Sequence, residues 1–177
     1  MKKSIAFLAL LAGFWSCNQP KQEVKEPEPV VEKPAPIAFG ESKYSDLCKQ
    51  SMAALSSGDV DGFLVNFADN AVYRFNNGDS IAGKTAISSY WKERRTKVID
   101  KIEFTNDIWL PLVINEYQGV RTGTWVLAWF ETSAKYKTGK SMHQWVHTLY
   151  HFNGTGQVEE VIQYLDRAPI MEAMKKN

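Results

Sequence analysis

The sequence has little cysteine, no excess of either charge and no long apolar run, and each shortage removes a class of protein. Two cysteines in 177 residues cannot build a disulfide framework, so any fold rests on a hydrophobic core. Lys and Arg number 21 against 20 Asp and Glu, a formal net charge of +1, which argues against a nucleic-acid binder that works by neutralising phosphates. Nowhere do eighteen apolar residues follow one another, so there is no conventional membrane-spanning helix. A glycine-rich phosphate loop, a serine-hydrolase elbow and a zinc-ligand cysteine cluster are missing too, and the sequence implies neither a cofactor nor a metal. What is present is the composition of a folded domain. With 44% hydrophobic and 12% aromatic residues, the chain is not disordered over its whole length, and its length suits one ordinary domain rather than two.

The averages conceal three parts, because five of the seven prolines lie between Pro20 and Pro36 while the aromatics concentrate beyond Tyr44. Lys2 and Lys3 precede an apolar run over residues 5–14 that is too short for a permanent span, which is the architecture of an export signal. The run ends at Trp15-Ser16-Cys17 with no Ala-x-Ala cleavage site. This segment resembles a bacterial lipoprotein signal, which implies removal of residues 1–16, acylation of Cys17 and a lipid anchor in a membrane of the cell envelope. Each buried methylene of such an anchor adds roughly 0.8 kcal/mol. Ordinary secretion, giving a periplasmic or secreted protein, is the alternative. Residues 17–42 then form a Pro, Glu and Lys-rich tether with almost no apolar surface to bury. At about 3.1 Å per residue such a segment reaches on the order of 70 Å.

Residues 43–177 read as one α+β domain. Apolar positions 44, 47, 48, 52 and 55 share one face of a helix that Gly58 ends, and Cys48 on that face is expected to be an inert core thiol. Asp59 caps a second helix with Val60, Phe63, Leu64 and Phe67 on one stripe, followed by a short strand over 71–75 and a turn over 76–79. Gly83 opens a third helix that buries Ile87, Tyr90 and Trp91 and sends Lys92, Arg94, Arg95 and Lys97 toward water. Beyond Asp100, runs rich in Trp, Val, Ile, Thr and Tyr predict four antiparallel strands over 101–114, 120–135, 141–152 and 157–166, with a bulge or edge position at Pro111. Pro169 starts a short C-terminal helix or tail. Both faces of residues 125–130 are apolar, so one face should meet the helices and the other a partner, most simply a second copy in a homodimer.

This order, three N-terminal helices packed on a curved antiparallel sheet to make a cone-shaped α+β barrel, resembles the nuclear transport factor 2-like superfamily, which includes SnoaL-like proteins and ketosteroid isomerase. The residues that carry the resemblance are Gly58-Asp59-Val60-Asp61-Gly62-Phe63, Phe67-Ala68-Asp69-Asn70-Ala71-Val72-Tyr73, Gly83-Lys84-Thr85-Ala86-Ile87 and Tyr90-Trp91. It implies a pocket between sheet and helices. Phe75 falls where the isomerases carry their aspartate base, while Lys49 and Trp145 fall at or near their oxyanion-hole groups, so that proton-transfer chemistry is not implied here. The residues left to line the pocket are Tyr73, Phe75, Trp91, Trp145 and Tyr164, an aromatic set suited to a small apolar or aromatic molecule. The alternative is that these rings simply fill the cone, leaving a dimerisation module.

All three histidines lie within residues 142–152. A strand places residues four apart on one face but about 13 Å from each other at roughly 3.3 Å per residue, too far to share a metal without other donors. His143 and His147 share the face of Trp145. If that face is inward, either is a candidate general base in a lyase, isomerase or hydrolase, with Asp107 as an orienting carboxylate; an ordinary structural histidine is the simpler reading of the pattern.

Overall fold

The computed structural model describes residues 33–176, so the signal-like segment, Cys17 and most of the tether lie outside the described residues. The end of the expected tether joins the sheet. Ile37–Phe39 forms strand β1, paired antiparallel with residues 112–114, and the Asn115 amide donates to the Pro36 carbonyl at 2.9 Å. All three β1 side chains are exposed. The strand is held by backbone hydrogen bonds, which leave no trace in composition, with the Asn115 side-chain amide donating to the Ala35 carbonyl just before it.

Helix α1 spans Ser42–Ser57 and buries Cys48, Met52 and Leu55. It stops at Gly58, whose φ of 94° is left-handed, with the Asp59 amide donating to the Ala54 carbonyl at 2.9 Å; glycine takes this conformation without a Cβ clash. Asp59 caps α2 by accepting from the Gly62 amide at 2.8 Å. The expected second helix is one turn only, Val60–Phe63. Phe67 already belongs to β2, Phe67–Phe75, four residues earlier than expected, because it pairs with Val158 across the sheet. A short β3, Ser80–Ala82, folds back on β2 after the 76–79 turn. Helix α3, Lys84–Glu93, buries Ile87 and Trp91 and runs on into a π-helical turn, Arg94–Val98. That wider turn changes the fate of the basic cluster. Lys92 and Lys97 face water, but Arg94 and Arg95 are half-buried, and Arg95 Nη2 donates to the Ser56 carbonyl at 3.2 Å.

The four long strands fall close to where the residue pattern puts them: β4 Ile99–Ile114, β5 Gly123–Tyr136, β6 Ser141–Phe152 and β7 Val158–Tyr164. The sheet has seven strands in the order β1-β4-β5-β6-β7-β2-β3 and is mixed rather than purely antiparallel, since β2 and β7 run parallel. The inner face of β5 is its even-numbered side, where Val126, Ala128, Phe130, Thr132, Ala134 and Tyr136 are all buried. The bulge in β4 comes at Asn106, φ 51°, rather than at Pro111. Three steps on β4 from Thr105 to Ile108 match two on β5, so the inward side of β4 switches from Ile102 and Phe104 to Trp109, which stacks on Phe130 and Tyr150. Helix α4, Arg167–Met174, is capped by Asp166, which accepts from the Ala168 amide at 2.8 Å. N-terminal helices on a curved, mostly antiparallel sheet make this an α+β fold of the nuclear transport factor 2-like type.

Candidate functional site: an aromatic cavity inside the cone

Helices α1, α3 and α4 and the concave sheet leave a partly enclosed cavity of about 220 Å³. The rings of Phe63, Tyr73, Phe75, Tyr90 and Trp91 form one wall. They brace one another, with ring centroids 5.1 Å apart for Tyr73 and Phe75 and 5.8 Å for both Phe63–Trp91 and Phe75–Tyr90, in tilted or edge-on contacts. The opposite wall comes from Ile102, Phe104 and Val146 of the sheet, and Ile170 and Met174 of α4 close one side.

Helix α4 is fastened by polar contacts around that side. Gln144 accepts from the Asp166 amide at 2.9 Å and donates to the Asp166 carbonyl at 3.0 Å. Thr138 Oγ1 donates to the Ala173 carbonyl at 2.5 Å, and Arg167 Nη1 bonds Asp79 Oδ2 at 3.2 Å. Hydrogen bonds from Asn77 and then Arg167 hold the Asp79 carboxyl below the usual carboxylate range.

Several polar residues line the cavity. Thr132 is 4% exposed and its Oγ1 has no hydrogen-bond partner among the described residues. The Gln163 side chain is buried among the lining and makes no hydrogen bond among the described residues. Burial pushes the Tyr73 phenol far above its ordinary range, with the positive charge of Arg94 opposing the shift; Tyr136 is raised in the same way. Both phenols are therefore neutral donors at physiological pH.

Of the residues the sequence puts in the pocket, Tyr73, Phe75 and Trp91 line this cavity, but Trp145, Tyr164, His143 and His147 stand on the other side of the sheet. Trp145 is 51% exposed and Tyr164 48% exposed. The inward residues of β6 are Met142, Gln144 and Val146, because β5 and β6 pair Phe130 with Val146 and Glu131 with Trp145. His147 lies stacked between Trp129 at 4.4 Å and Tyr164 at 5.9 Å on that outer face, its Nδ1 2.9 Å from the Ala128 carbonyl. His143 Nδ1 meets Ser133 Oγ at 2.9 Å in the exposed region. Asp107 touches neither histidine and accepts from the Trp109 indole in a shallow groove beside Lys49. The proposed histidine base and its carboxylate are thus not assembled, and histidine chemistry inside the cone is corrected. Cys48 is buried, which pushes its thiol well above the usual range and leaves it unreactive. What the sequence reading missed is Arg94, Thr132, Gln144 and the α4 wall. For Thr132 a signal existed, since it falls in the even-numbered, otherwise apolar side of β5.

Comparison with known proteins bears on the fold and family. No curated protein sequence matches the chain. Solved structures share the fold at low identity. A candidate polyketide cyclase from Xanthomonas campestris pv. campestris is 17% identical over 75% of this chain and 95% of that chain, with a TM-score of 0.59. A nuclear transport factor 2-like protein of unknown function from Burkholderia pseudomallei is 13% identical over 76% and 99%, TM-score 0.60. A hypothetical protein with a ketosteroid isomerase-like fold from Catenulispora acidiphila, solved in complex with trimethylamine, is 13% identical over 75% and 94%, TM-score 0.56. The family of the SnoaL-like domain matches residues 48–161, well over half of the chain, and the chain belongs to that family.

Proposed function

We propose that this protein is an envelope lipoprotein whose SnoaL-like domain binds one small, largely apolar molecule in the cavity. The carrying observation is the cavity itself: about 220 Å³ walled by mutually braced rings. Apolar cavities near 150 Å³ hold benzene, and drug-sized ligands occupy about 300–1,000 Å³. The space therefore fits a single substituted ring or a short branched chain and is too small for a steroid or a multi-ring polyketide. The trimethylamine complex of the Catenulispora protein supports the reading that this fold holds small molecules. Calorimetric titration of the full chain with 4-ethylbenzamide tests it. Saturable one-site binding that is lost in Phe75→Trp, which fills the cavity, is expected; binding unaffected by that substitution would overturn the proposal.

The anchor and the assembly belong to the same reading. Acylation at Cys17 would hold the domain at a bacterial membrane, so Cys17→Ser should move it to the soluble fraction, and unchanged partitioning removes the anchor. The outer face of the sheet carries the Trp129–His147–Tyr164 stack together with exposed Ile108 and Trp145. An apolar face of this kind is covered most simply by a second copy. Light scattering should give a dimer mass that Trp145→Glu converts to a monomer, and a monomeric wild type would refute the assembly.

A further inference from the structure

Among the described residues, three charged side chains line the cavity: Asp79, Arg94 and Arg167. Asp79 and Arg167 neutralise each other at 3.2 Å. Arg94 has no carboxylate partner among the described residues; its guanidinium lies over the Tyr90 ring, 5.5 Å from the centroid. The cavity thus carries one uncompensated positive charge. Arg94 is also the first residue of the π-helical turn that follows α3, and such local widenings of a helix recur at functional sites.

The groups around it are donors. Tyr73, Tyr90 and Tyr136 all line the cavity, and none of their hydroxyls has a hydrogen-bond partner among the described residues. Tyr73 is 3% exposed. Tyr90, beneath the Arg94 guanidinium, and Tyr73 both pack against Trp91, with ring centroids 5.4 and 6.3 Å away, and Tyr136 lines the same cavity. Thr132, on the β5 side of the same cavity, adds a buried hydroxyl without a partner. Buried polar groups are almost always satisfied, and unpartnered donors beside an unpaired cation are a receptor for negative charge.

Resting on the reading that the cavity binds a small apolar molecule, we propose that its ligand is a monoanion, a carboxylate on a single ring or short apolar body, held by Arg94 with the hydroxyls of Tyr73, Tyr90 and Tyr136. The walls take the apolar part and the cluster fixes its orientation. A neutral ligand of the same shape would leave the guanidinium without a counter-charge, and an ammonium ligand would meet it as a like charge.

The test is calorimetric titration of the full chain at pH 7 with three probes of one shape: 4-ethylbenzoate, 4-ethylbenzamide and 4-ethylbenzylammonium. The benzoate should bind at least about tenfold more tightly than the amide, the ratio expected for a charge-assisted contact, and the ammonium should bind more weakly than both. Arg94→Met should remove the preference by weakening benzoate far more than amide, and Arg94→Lys should restore part of it. Tyr73→Phe, which keeps the ring in the core, should weaken benzoate more than amide and serves as an independent variant if Arg94→Met lowers the melting temperature. Equal affinity of benzoate and amide, or an undiminished preference in Arg94→Met and Tyr73→Phe, overturns the anion assignment and leaves the cavity reading standing. Failure of all three probes overturns both.

Discussion

Replacing Thr132 by Val tests whether the cavity is dry. Thr132 sits in the middle of β5, opposite Phe104 on one neighbour and Gln144 on the other, and its hydroxyl has neither an acceptor nor a donor among the described residues. A buried hydroxyl left unsatisfied costs about 1–3 kcal/mol, because folding strips its water and returns nothing. Valine has nearly the same shape, so the substitution removes that penalty without opening a void. A gain of about 1–2 kcal/mol in stability is expected, and for a domain of this size roughly 3–4 °C of melting temperature accompanies each kcal/mol.

Thr148→Val is the matched control. Thr148 is equally buried and its hydroxyl equally unpartnered, but it does not line the cavity. Calorimetric melts of the ligand-free chain should show both variants rising by about 3–8 °C, and only Thr132→Val should change the affinity for a cavity ligand. If Thr132→Val melts lower than wild type while Thr148→Val melts higher, the Thr132 hydroxyl is satisfied by ordered water in the cavity and the dry-cavity argument fails. If both melt lower, the reasoning from unpartnered hydroxyls is wrong altogether.

Two further perturbations address the walls. Asp79 titrates below its unfolded value because Asn77 and Arg167 bond its charged form. Its contribution is therefore complete above the ordinary carboxylate range and is lost as pH falls through the lowered value. Amide exchange in α4 should speed up over that acidic window in wild type, and Asp79→Asn should already exchange fast at neutral pH; identical α4 exchange in both proteins would show that the Arg167 contact does not secure the helix. Gly123 has φ 116°, and a Cβ there would lie 2.9 Å from His151 Nε2, which itself sits 2.9 Å from the Thr122 carbonyl. Gly123→Ala should therefore destabilise by about 1–3 kcal/mol while cavity binding persists, and an unchanged melting temperature would mean that the backbone relaxes at no cost.

The fold was legible because its signals are local and agree with one another. Turn residues at 137–140 and 153–156 bracket β6, and Gly58 and Gly83 punctuate the helices where left-handed backbone is required. What escaped notice depends on tertiary contact. β1 contributes three exposed side chains and pairs with β4 through its backbone, and α2 is cut to one turn because Phe67 finds Val158. The parallel pairing of β2 with β7 joins residues some 90 positions apart, and no pattern within either strand announces it.

The inversion of β6 has a different cause. When both faces of a sheet are apolar, alternation no longer distinguishes inside from outside, and shifting the choice by one residue moves every side chain to the other face. The odd-numbered side of β6 offered Trp and His, the even-numbered side Met, Gln, Val and Tyr; reactivity favoured the first, packing the second. The sequence did contain the arbiter. Glu131 and Lys135 are odd-numbered residues of β5, and charged side chains belong on its solvent side. The hairpin through 137–140 sets Lys135 opposite Ser141 and therefore Glu131 opposite Trp145, which carries His143, Trp145 and His147 outward with the charges. The cavity is then lined by whatever remains, and its chemistry passes from histidine to Arg94 and the phenols. Its size is set in part by α4, which lies beyond the family-matched stretch of residues 48–161. Membership in the family thus accounts for the cone, while part of the wall that sets the cavity's volume comes from a helix beyond the shared stretch.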